Sequence, residues 1–344
     1  MVLQYSDYGD AALLTQQLLV KRGAFVDLQS DLQDHVAVRE LWGRRQKQFA
    51  GGDPWEFEAQ VDHNHSTRAV GLYETDGSAL TDTMIKGTIN QRHVNSHYLF
   101  DLREKAFQKG GTKIVDLIKT KYVGMMVSFY EYLEPVLWAE PADDNKTPFG
   151  VAYWVTRNAS TGFNGGNPTN FSSGKAGISQ GDQARWANYT ARYVAVSKED
   201  LVRKMREASV KVKFRSPVSH SEPVVGGSRN GVYMGYSVLG LIEEILEDQN
   251  MNLGNDIASK DGRSLFKGTP LTYVPHLDDS AETQAPVYLL DWRWMAIGVM
   301  PGWENNLTKP YMVPDKHNVR RVDHDASLNM ICTNLRRQAV ISTA

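Results

Sequence analysis

Residues 112–138 read TKIVDLIKTKYVGMMVSFYEYLEPVLW, and the architecture is best inferred from this segment outward. Its apolar residues fall near the spacing of an α-helix, and they cover more than one stripe of the helix surface. The pattern predicts one long helix, about 40 Å in length, that is buried on several sides. Two residues disfavour a regular helix here: Gly124 lowers its stability, and Pro135 predicts a kink or an end near Glu134.

The segment before this helix predicts a two-stranded ribbon. Trp55, Phe57 and Val61 alternate with polar residues, which is the period of a half-buried strand. Residues 68–73 predict the return strand. A ribbon of this size has too little apolar surface to be stable alone, so it needs another surface to lie on. Residues 1–50 predict a partly helical segment that precedes the ribbon.

The segment after the long helix predicts a mixed α and β body. Residues 143–182 are rich in Gly, Asn and Ser and predict a long loop with one short strand at 151–155. Ser197 and Asp200 fit the N-cap pattern of a helix that carries a positive excess, which is either a solvated face or a contact for phosphates or acidic surfaces. Further predicted elements are a helix over 236–250 and strands over 271–274, 287–290, 328–333 and 339–341.

Composition excludes several classes of protein. The 344 residues are 41% hydrophobic and 23% charged, which is typical of a folded protein and not of a disordered one. The formal net charge of −2 excludes binding to DNA through bulk positive charge. Cys332 is the only cysteine, so the chain has no internal disulfide framework. No apolar run approaches the ~20 residues of a spanning helix, and no secretory signal is evident.

The sequence contains no catalytic motif that withstands inspection. The glycine-rich nucleotide-binding patterns and the nucleophile-elbow pattern are absent. His93 and His97 have the spacing of helical metal ligands, but the residues around them disfavour a helix. Asp323, His324 and Asp325 alternate between the two faces of a predicted strand and do not converge. The sequence therefore predicts no enzyme, no metal and no cofactor, and it predicts a buried, inert thiol at Cys332.

The order of these segments resembles the major capsid protein of tailed double-stranded DNA bacteriophages, the Hong Kong 97-type fold, which encapsulins also use. Three motifs carry the resemblance: Asp144–Gly150, which leads away from the long helix, Leu265–Pro275, and Pro286–Asp291. The resemblance implies an α+β fold with a long spine helix. It divides the chain into an N-terminal arm (1–50), an extended β-hairpin loop or E-loop (51–105), the spine helix and peripheral domain (106–143), an axial domain (144–312) and the closing strands of the peripheral domain (313–344).

The function that the resemblance implies is self-assembly. Copies would form hexamers and pentamers of an icosahedral shell that encloses double-stranded DNA without reading its sequence. The chain lacks the long charged leader that some members carry, which implies either a separate scaffolding protein or a chain whose leader was never encoded. The resemblance also implies a portal and a decoration protein as partners. The expected location is the virion, assembled in the host cytoplasm, with no membrane partner.

Specific residues follow from this expectation. Trp55, Phe57 and Val61 on the ribbon are expected to be buried against a neighbouring copy. Gly124 and Pro135 are expected to be soft points where the spine helix bends during maturation.

Two alternatives stay open at this stage. The first is an encapsulin-like compartment, which would hold a cargo enzyme in place of DNA. The second is a carbohydrate-binding or hydrolytic protein in which Trp154, Phe163 and Trp186 stack on sugars, against the simpler interpretation that these rings pack beneath the long loop.

Overall fold

The computed structural model describes residues 35–49, 54–60, 62, 68–73, 83–103, 111–142, 146–214, 230–248, 264–278, 284–314 and 316–343. Val61 and residues 1–34 of the expected arm lie outside these ranges. The helices are α1 (Gly111–Trp138), α2 (Val151–Trp154), α3 (Arg203–Lys211) and α4 (Tyr236–Asp248), with short helical segments at Val38–Trp42, Lys198–Val202, Pro275–Asp278, Trp292–Trp294 and Leu335–Arg337.

Fifteen strands are present among the described residues. The first four are β1 (Gln46–Gln48), β2 (Trp55–Gln60), β3 (Met84–Ile89) and β4 (Arg92–Asp101). The middle group is β5 (Gly162–Gly165), β6 (Asn188–Arg192), β7 (Asn230–Met234), β8 (Leu265–Phe266) and β9 (Thr269–Tyr273). The last six are β10 (Val287–Asp291), β11 (Met295–Val299), β12 (Asn306–Leu307), β13 (Tyr311–Met312), β14 (Val319–Cys332) and β15 (Ala339–Ser342).

The long helix predicted over residues 112–138 is confirmed by α1, which spans 28 residues. Met126, Phe129 and Leu133 are almost fully buried and follow one another at helical spacing. The prediction that the helix ends near Glu134 is wrong, because Ala139 still donates a backbone hydrogen bond to the carbonyl of Pro135. Pro135 lies in the last turn, so its missing N–H removes a single hydrogen bond and the helix continues.

The first sheet lies against α1. The long strand β14 is its centre: it pairs with β4 over ten residues and also with β11, β12 and β13, while β1 pairs with β11. Val322, Ala326 and Leu328 alternate along β14 and are buried in the core that includes α1. Edge-to-face ring contacts join the sheet and the helix, and the centroids of Tyr98 and Tyr122 are 6.5 Å apart.

The second sheet has the strand order β5–β6–β15–β10–β7–β9–β8. On one of its faces Leu289 and Ile341 pack with Met205 of α3 and Ile242 of α4. The residues on its other face, including Leu290, join the core of the first sheet and α1. The second sheet is therefore covered on both faces, which explains why its central strands are continuously apolar.

Two local predictions are wrong. Residues 68–73 are not a strand; the return strand of the ribbon is β3, which places Ile89 opposite Trp55. Residues 151–154 form the short helix α2 and not a strand. An apolar run of this length has no periodicity that separates a strand from a buried helical turn.

The expected boundary between axial and peripheral segments does not coincide with the division between the sheets. Strands β11, β12 and β13 lie before residue 313, yet all three pair with β14 in the first sheet. Strand β15 lies after residue 313, yet it pairs with β6 and β10 in the second sheet. The chain therefore crosses between the sheets twice in its last 50 or so residues, where the sequence shows only a succession of strands.

Candidate assembly surfaces

The base of the ribbon is buried by its own chain. The Trp55 side chain is only 3% exposed and stacks on Phe49, with ring centroids 5.0 Å apart. It also covers Gly298 of β11, where an added Cβ would lie 2.6 Å from the indole ring. Phe57 is half-buried, with its ring 6.0 Å from that of Trp186.

Phe49 and β11 already cover Trp55 within its own chain, so a contact of Trp55 with a neighbouring copy is not needed for its burial and stays a prediction. Phe57 makes a contact within its own chain as well, although part of its ring stays accessible. Val61 lies outside the described residues, so its contact with a neighbour stays a prediction.

The segment between the two strands of the ribbon exposes apolar side chains. Leu72 is 93% exposed and Tyr73 is fully exposed, and they are the two most exposed large apolar side chains among the described residues. Val70 beside them is also exposed. Adjacent exposed apolar residues typically mark a site where another molecule binds. Their exposure is not evident from the sequence, in which residues 68–73 have the pattern of a strand.

A buried carboxylate joins the amino-terminal segment to the spine helix. Glu134 accepts hydrogen bonds from the backbone N–H groups of Ala37 (3.0 Å) and Val38 (2.8 Å) and from the indole N–H of Trp138 (2.8 Å). The two backbone donors belong to the first turn of the helical segment that ends at Trp42, where a carboxylate is favoured. Glu134 thus fixes the helical segment Val38–Trp42 against the carboxyl-terminal end of α1.

The Asp323, His324 and Asp325 triplet does not converge, as predicted, but it is not a solvated edge. Asp323 accepts a hydrogen bond from Tyr311 (2.7 Å), whereas His324 is buried on the other face of β14, 4.8 Å from the ring of Phe129. Burial lowers the pKa of His324 to about 4, so its imidazole is neutral at physiological pH. The central position of β14 in its sheet explains the burial.

The two histidines at helical spacing lie on strand β4. His93 is within 2.7 Å of the Ser327 hydroxyl, and its ring takes part in the cross-strand contacts of the sheet. In the part of the chain that the structure describes, no three His, Cys, Asp or Glu residues are grouped as metal ligands.

One lysine is enclosed by the protein. Lys175 donates hydrogen bonds to Thr156 Oγ1 (2.9 Å) and Asn188 Oδ1 (2.9 Å). Burial lowers the pKa of Lys175 to about 7. The predicted burial of Cys332 is confirmed, and burial raises the pKa of its thiol to about 12. Neither side chain is accessible to a substrate from solvent.

The aromatic residues considered for sugar stacking are mostly core residues. Trp154 is fully buried and donates its indole N–H to the carbonyl of Met330. Trp186 is 5% exposed and donates to the carbonyl of Lys175. Phe163 is half-buried, and its ring is covered by the guanidinium of Arg336 at 4.0 Å. These rings offer no open platform on which a sugar could stack.

A groove of about 860 Å³ lies between the base of the ribbon, the end of α3 and the segment before β15. Two acidic residues line it, Glu58 and Asp62, together with the aromatic residues Phe163, Trp186 and Trp294. Its basic residues outnumber the acidic ones, and we call the cavity the basic groove after them: Arg185, Lys211, Lys213, Arg336 and Arg337.

The matches of this chain to known proteins come from solved structures. No protein-family model and no curated protein matches the sequence. Among solved structures, the cyanophage A-1(L) capsid superposes with a TM-score of 0.55 at 13% identity, covering 84% of this chain and 87% of that chain. The capsid of a native GTA particle superposes with a TM-score of 0.50 at 11% identity, covering 90% of each chain.

An encapsulin is also similar. The holo-SrpI encapsulin complex from Synechococcus elongatus PCC 7942 superposes with a TM-score of 0.52 at 11% identity, covering 90% of this chain and 87% of that chain. These likenesses extend over most of both chains. The protein therefore has the Hong Kong 97-type capsid fold, as the order of its segments predicted. Across the described ranges, no helix combines the length and apolar character that spanning a bilayer requires.

Proposed function

We propose that this protein is the major capsid protein of a tailed bacteriophage, which self-assembles through hexamers and pentamers into an icosahedral shell around double-stranded DNA. The observation that carries the proposal is the fold, which it shares with the cyanophage A-1(L) capsid over most of both chains. The exposed Leu72 and Tyr73 support it independently, because a second copy would remove their apolar surface from water.

Assembly by many weak contacts suits this architecture. A contact of about 4 kcal/mol corresponds to only a millimolar dissociation constant. A closed shell engages many such contacts at once, so the assembled state is stable although each contact is reversible. Reversibility also lets a misplaced copy leave before the shell closes.

The proposal includes partners beyond the chain itself. We infer a separate scaffolding protein, a portal and a decoration protein, with assembly in the host cytoplasm and a final location in the virion. The net charge of −2 is consistent with an inner wall that encloses DNA without sequence-specific contacts.

An encapsulin-like compartment is the second candidate, because the holo-SrpI encapsulin superposes almost as well as the cyanophage capsid. The two functions predict different contents. A phage head holds DNA and carries a portal at one vertex, whereas a compartment holds a cargo enzyme.

Electron microscopy of the purified protein tests the proposal, with nuclease treatment of material from infected or expressing cells to identify the contents. We expect capsomers or closed shells, and nuclease-resistant DNA in shells from infected cells. A double variant, Leu72→Asp with Tyr73→Asp, should remain folded but assemble poorly. A protein that stays monomeric at every soluble concentration would contradict self-assembly, and shells filled with an enzyme would favour the compartment.

A further inference from the structure

Strand β4 forms an open edge of the first sheet. It spans ten residues, Arg92–Asp101, and it pairs with β14 along one side without a register shift. Among the described residues, no strand pairs with its other side. The other edge strands of the two larger sheets, β1, β5, β8, β12 and β13, have two to four residues each. The open edge of β4 is about 30 Å long, so it offers far more unpaired backbone than these strands do.

The hydrogen bonds around β4 show which of its backbone groups face the open side, because these groups point alternately to the two sides of a strand. Leu102, one position beyond β4, donates its N–H to the carbonyl of Asn318, which continues the ladder with β14. Even-numbered residues of β4 therefore face β14. As this alternation requires, Asp323, which lies opposite His97, accepts the N–H of Thr308 on the far side of β14. We call the residues whose N–H and C=O groups face the open side the outward residues: His93, Asn95, His97, Leu99 and Asp101.

Nothing in the described ranges occupies the open edge. No hydrogen bond there joins the outward backbone groups to another segment. Proteins usually protect a long edge with proline, lysine or a β-bulge. Strand β4 reads RHVNSHYLFD, with neither proline nor lysine, and its ladder with β14 has no bulge. An edge of this kind is a template on which another strand can pair.

The open edge is also held in place by its own chain. Val94, Tyr98 and Phe100 are buried in the core that includes α1. His93 and His97 are exposed on the opposite face of the strand. Since the strand is already packed against the helix, an added strand would not have to order it, which lowers the cost of binding.

A second copy of β4 is the strand that fits this edge best. In an antiparallel pair with His97 opposite the same residue of the second copy, every outward residue meets an outward residue, and each such pair exchanges two hydrogen bonds. Any other register leaves an outward residue without a partner. The same register places the Asp101 carboxylate opposite His93 at each end of the contact, so the charges are complementary as well.

We propose that β4 of one copy pairs antiparallel with β4 of a second copy, which joins their first sheets into one continuous sheet. This inference rests on the proposed function, because it assumes that copies associate, and it specifies one contact by which they do so. The contact uses the same surface on both copies and therefore has a two-fold axis. Contacts within a ring of five or six copies are head-to-tail, so the β4 contact links separate rings.

Cysteine crosslinking of the full-length protein tests the pairing and its register. His97→Cys places two thiols at the axis, where the Cα atoms would be about 5.5 Å apart, within the range of a disulfide. Asn95→Cys is the matched control, because it lies on the same exposed face but the two copies of this residue would be four positions apart, about 13 Å along the strand. Asn95→Cys with Leu99→Cys restores an opposed pair, and these two positions are too far apart to crosslink within one copy.

The measurement is the amount of covalent dimer after mild oxidation, on non-reducing gels, for variants whose circular dichroism and thermal unfolding match those of the unchanged protein. Cys332 is buried, so the unchanged protein serves as the blank. We expect His97→Cys and the double variant to form about tenfold more dimer than Asn95→Cys does. Hydrogen exchange of the unchanged protein is the second measurement, and the outward amides should exchange fast in dilute monomer and slowly after association.

Three outcomes would overturn the pairing while the proposed function stands. They are equal crosslinking of His97→Cys and Asn95→Cys, assembled shells in which the outward amides still exchange fast, and slow exchange of these amides in dilute monomer. The last result would show that another segment of the same copy covers the edge. If the unchanged protein never associates, the proposed function itself fails, so the two failures are distinguishable.

Discussion

Two aromatic residues of the ribbon have opposite environments, so removing them should have opposite effects. Trp55 is buried in its own chain, and Trp55→Ala would leave a cavity beside Phe49 and Gly298. We expect the free energy of unfolding to fall by about 3–5 kcal/mol, measured by urea denaturation. Any loss of assembly in this variant would follow from loss of the fold.

The matched variant is Tyr73→Ala, because the Tyr73 side chain is exposed and does not pack in the core of its own chain. Its unfolding free energy should stay within about 0.5 kcal/mol of the unchanged protein. Its assembly, measured by light scattering, should be weaker. A Trp55→Ala protein that unfolds at the unchanged urea concentration would show that the indole belongs to an interface after all.

We expect the stability of the fold to depend on the negative charge of Glu134 and on both of its acceptor oxygens. In Glu134→Gln one acceptor becomes an N–H₂ group that faces backbone donors, so we expect a loss of about 1–3 kcal/mol in unfolding free energy. Hydrogen exchange of residues 35–43 should become faster. Glu131→Gln is the control, because Glu131 is exposed on the same helix. Equal exchange in the two variants would contradict the anchoring role.

Lys175 makes stability depend on pH in a defined window. Its pKa of about 7 lies below the ordinary value of 10.5, so between these values the unfolded state binds more protons than the folded one. The free energy of unfolding should therefore rise with pH from 7 to about 9, by at most about 1.4 kcal/mol per pH unit. Above that range the raised pKa of Cys332 opposes the rise.

Denaturant unfolding at several pH values checks this dependence, with Lys175→Met as the comparison. Methionine of similar length removes the titrating group, so the slope between pH 7 and about 9 should flatten. A slope that persists in Lys175→Met would assign the pH dependence to another group.

At the scale of single residues, the sequence does not show which other segment or molecule covers a side chain. Alternation identified Trp55 and Phe57 as one face of a strand, but periodicity cannot tell which molecule buries that face. Glu134 and Lys175 were not singled out, because a polar residue is recognised as buried only when its distant partners are known. Ala37 and Val38, for example, lie almost a hundred positions from Glu134.

At the scale of elements, the spine helix α1 is continuous from Gly111 to Trp138, and Gly124 is exposed near its middle. An added Cβ at Gly124 would meet nothing within 4 Å. Gly124→Ala should therefore raise the unfolding free energy by about 0.5–1 kcal/mol, measured by urea denaturation. If Gly124 is also a soft point for bending, as we propose, the variant should slow the expansion of assembled shells.

The control for that variant is Ser128→Ala, one turn further along the same exposed face. It changes helix propensity without removing a glycine. Stabilisation with unchanged expansion in Gly124→Ala would count against a bending role. Pro135 is the weaker candidate for such a role, since α1 continues past it to Trp138.

Elements with strong periodicity were predictable, and those defined by pairing were not. The helix α1 was predicted to within one residue at its start, because 28 residues with helical spacing have no other interpretation. The return strand of the ribbon was misplaced to 68–73, since the choice of partner for β2 depends on the register with Ile89. The groove was not predictable, because three separate segments meet there.

At the scale of the whole molecule, β15 holds the second sheet together from its middle. It lies between β6 and β10, and Val340 is almost fully buried. In Val340→Pro the ring removes a donor within a central strand, so we expect loss of the native fold in both halves of that sheet. Circular dichroism and thermal unfolding check this, with Thr343→Ala outside the strand as the control.

The overall architecture followed from the order of segments, but the division between the sheets did not. A boundary at residue 313 would separate the strands of 295–312 from β14 and would group β15 with it. In the structure, the strands of 295–312 pair with β14 in the first sheet, and β15 lies in the second sheet. Sequence shows where strands begin and end. It does not show which of two sheets a strand joins, because both sheets share one core and have similar apolar faces.

The late position of β15 in the chain has a consequence during protein synthesis. Every neighbour in its sheet is translated before residues 339–342, so that sheet is incomplete while those residues are still inside the ribosome. The groove, whose wall includes the residues just before β15, is incomplete for the same time. Until β15 has left the ribosome, the strands β6 and β10 lack the partner that lies between them in the folded sheet.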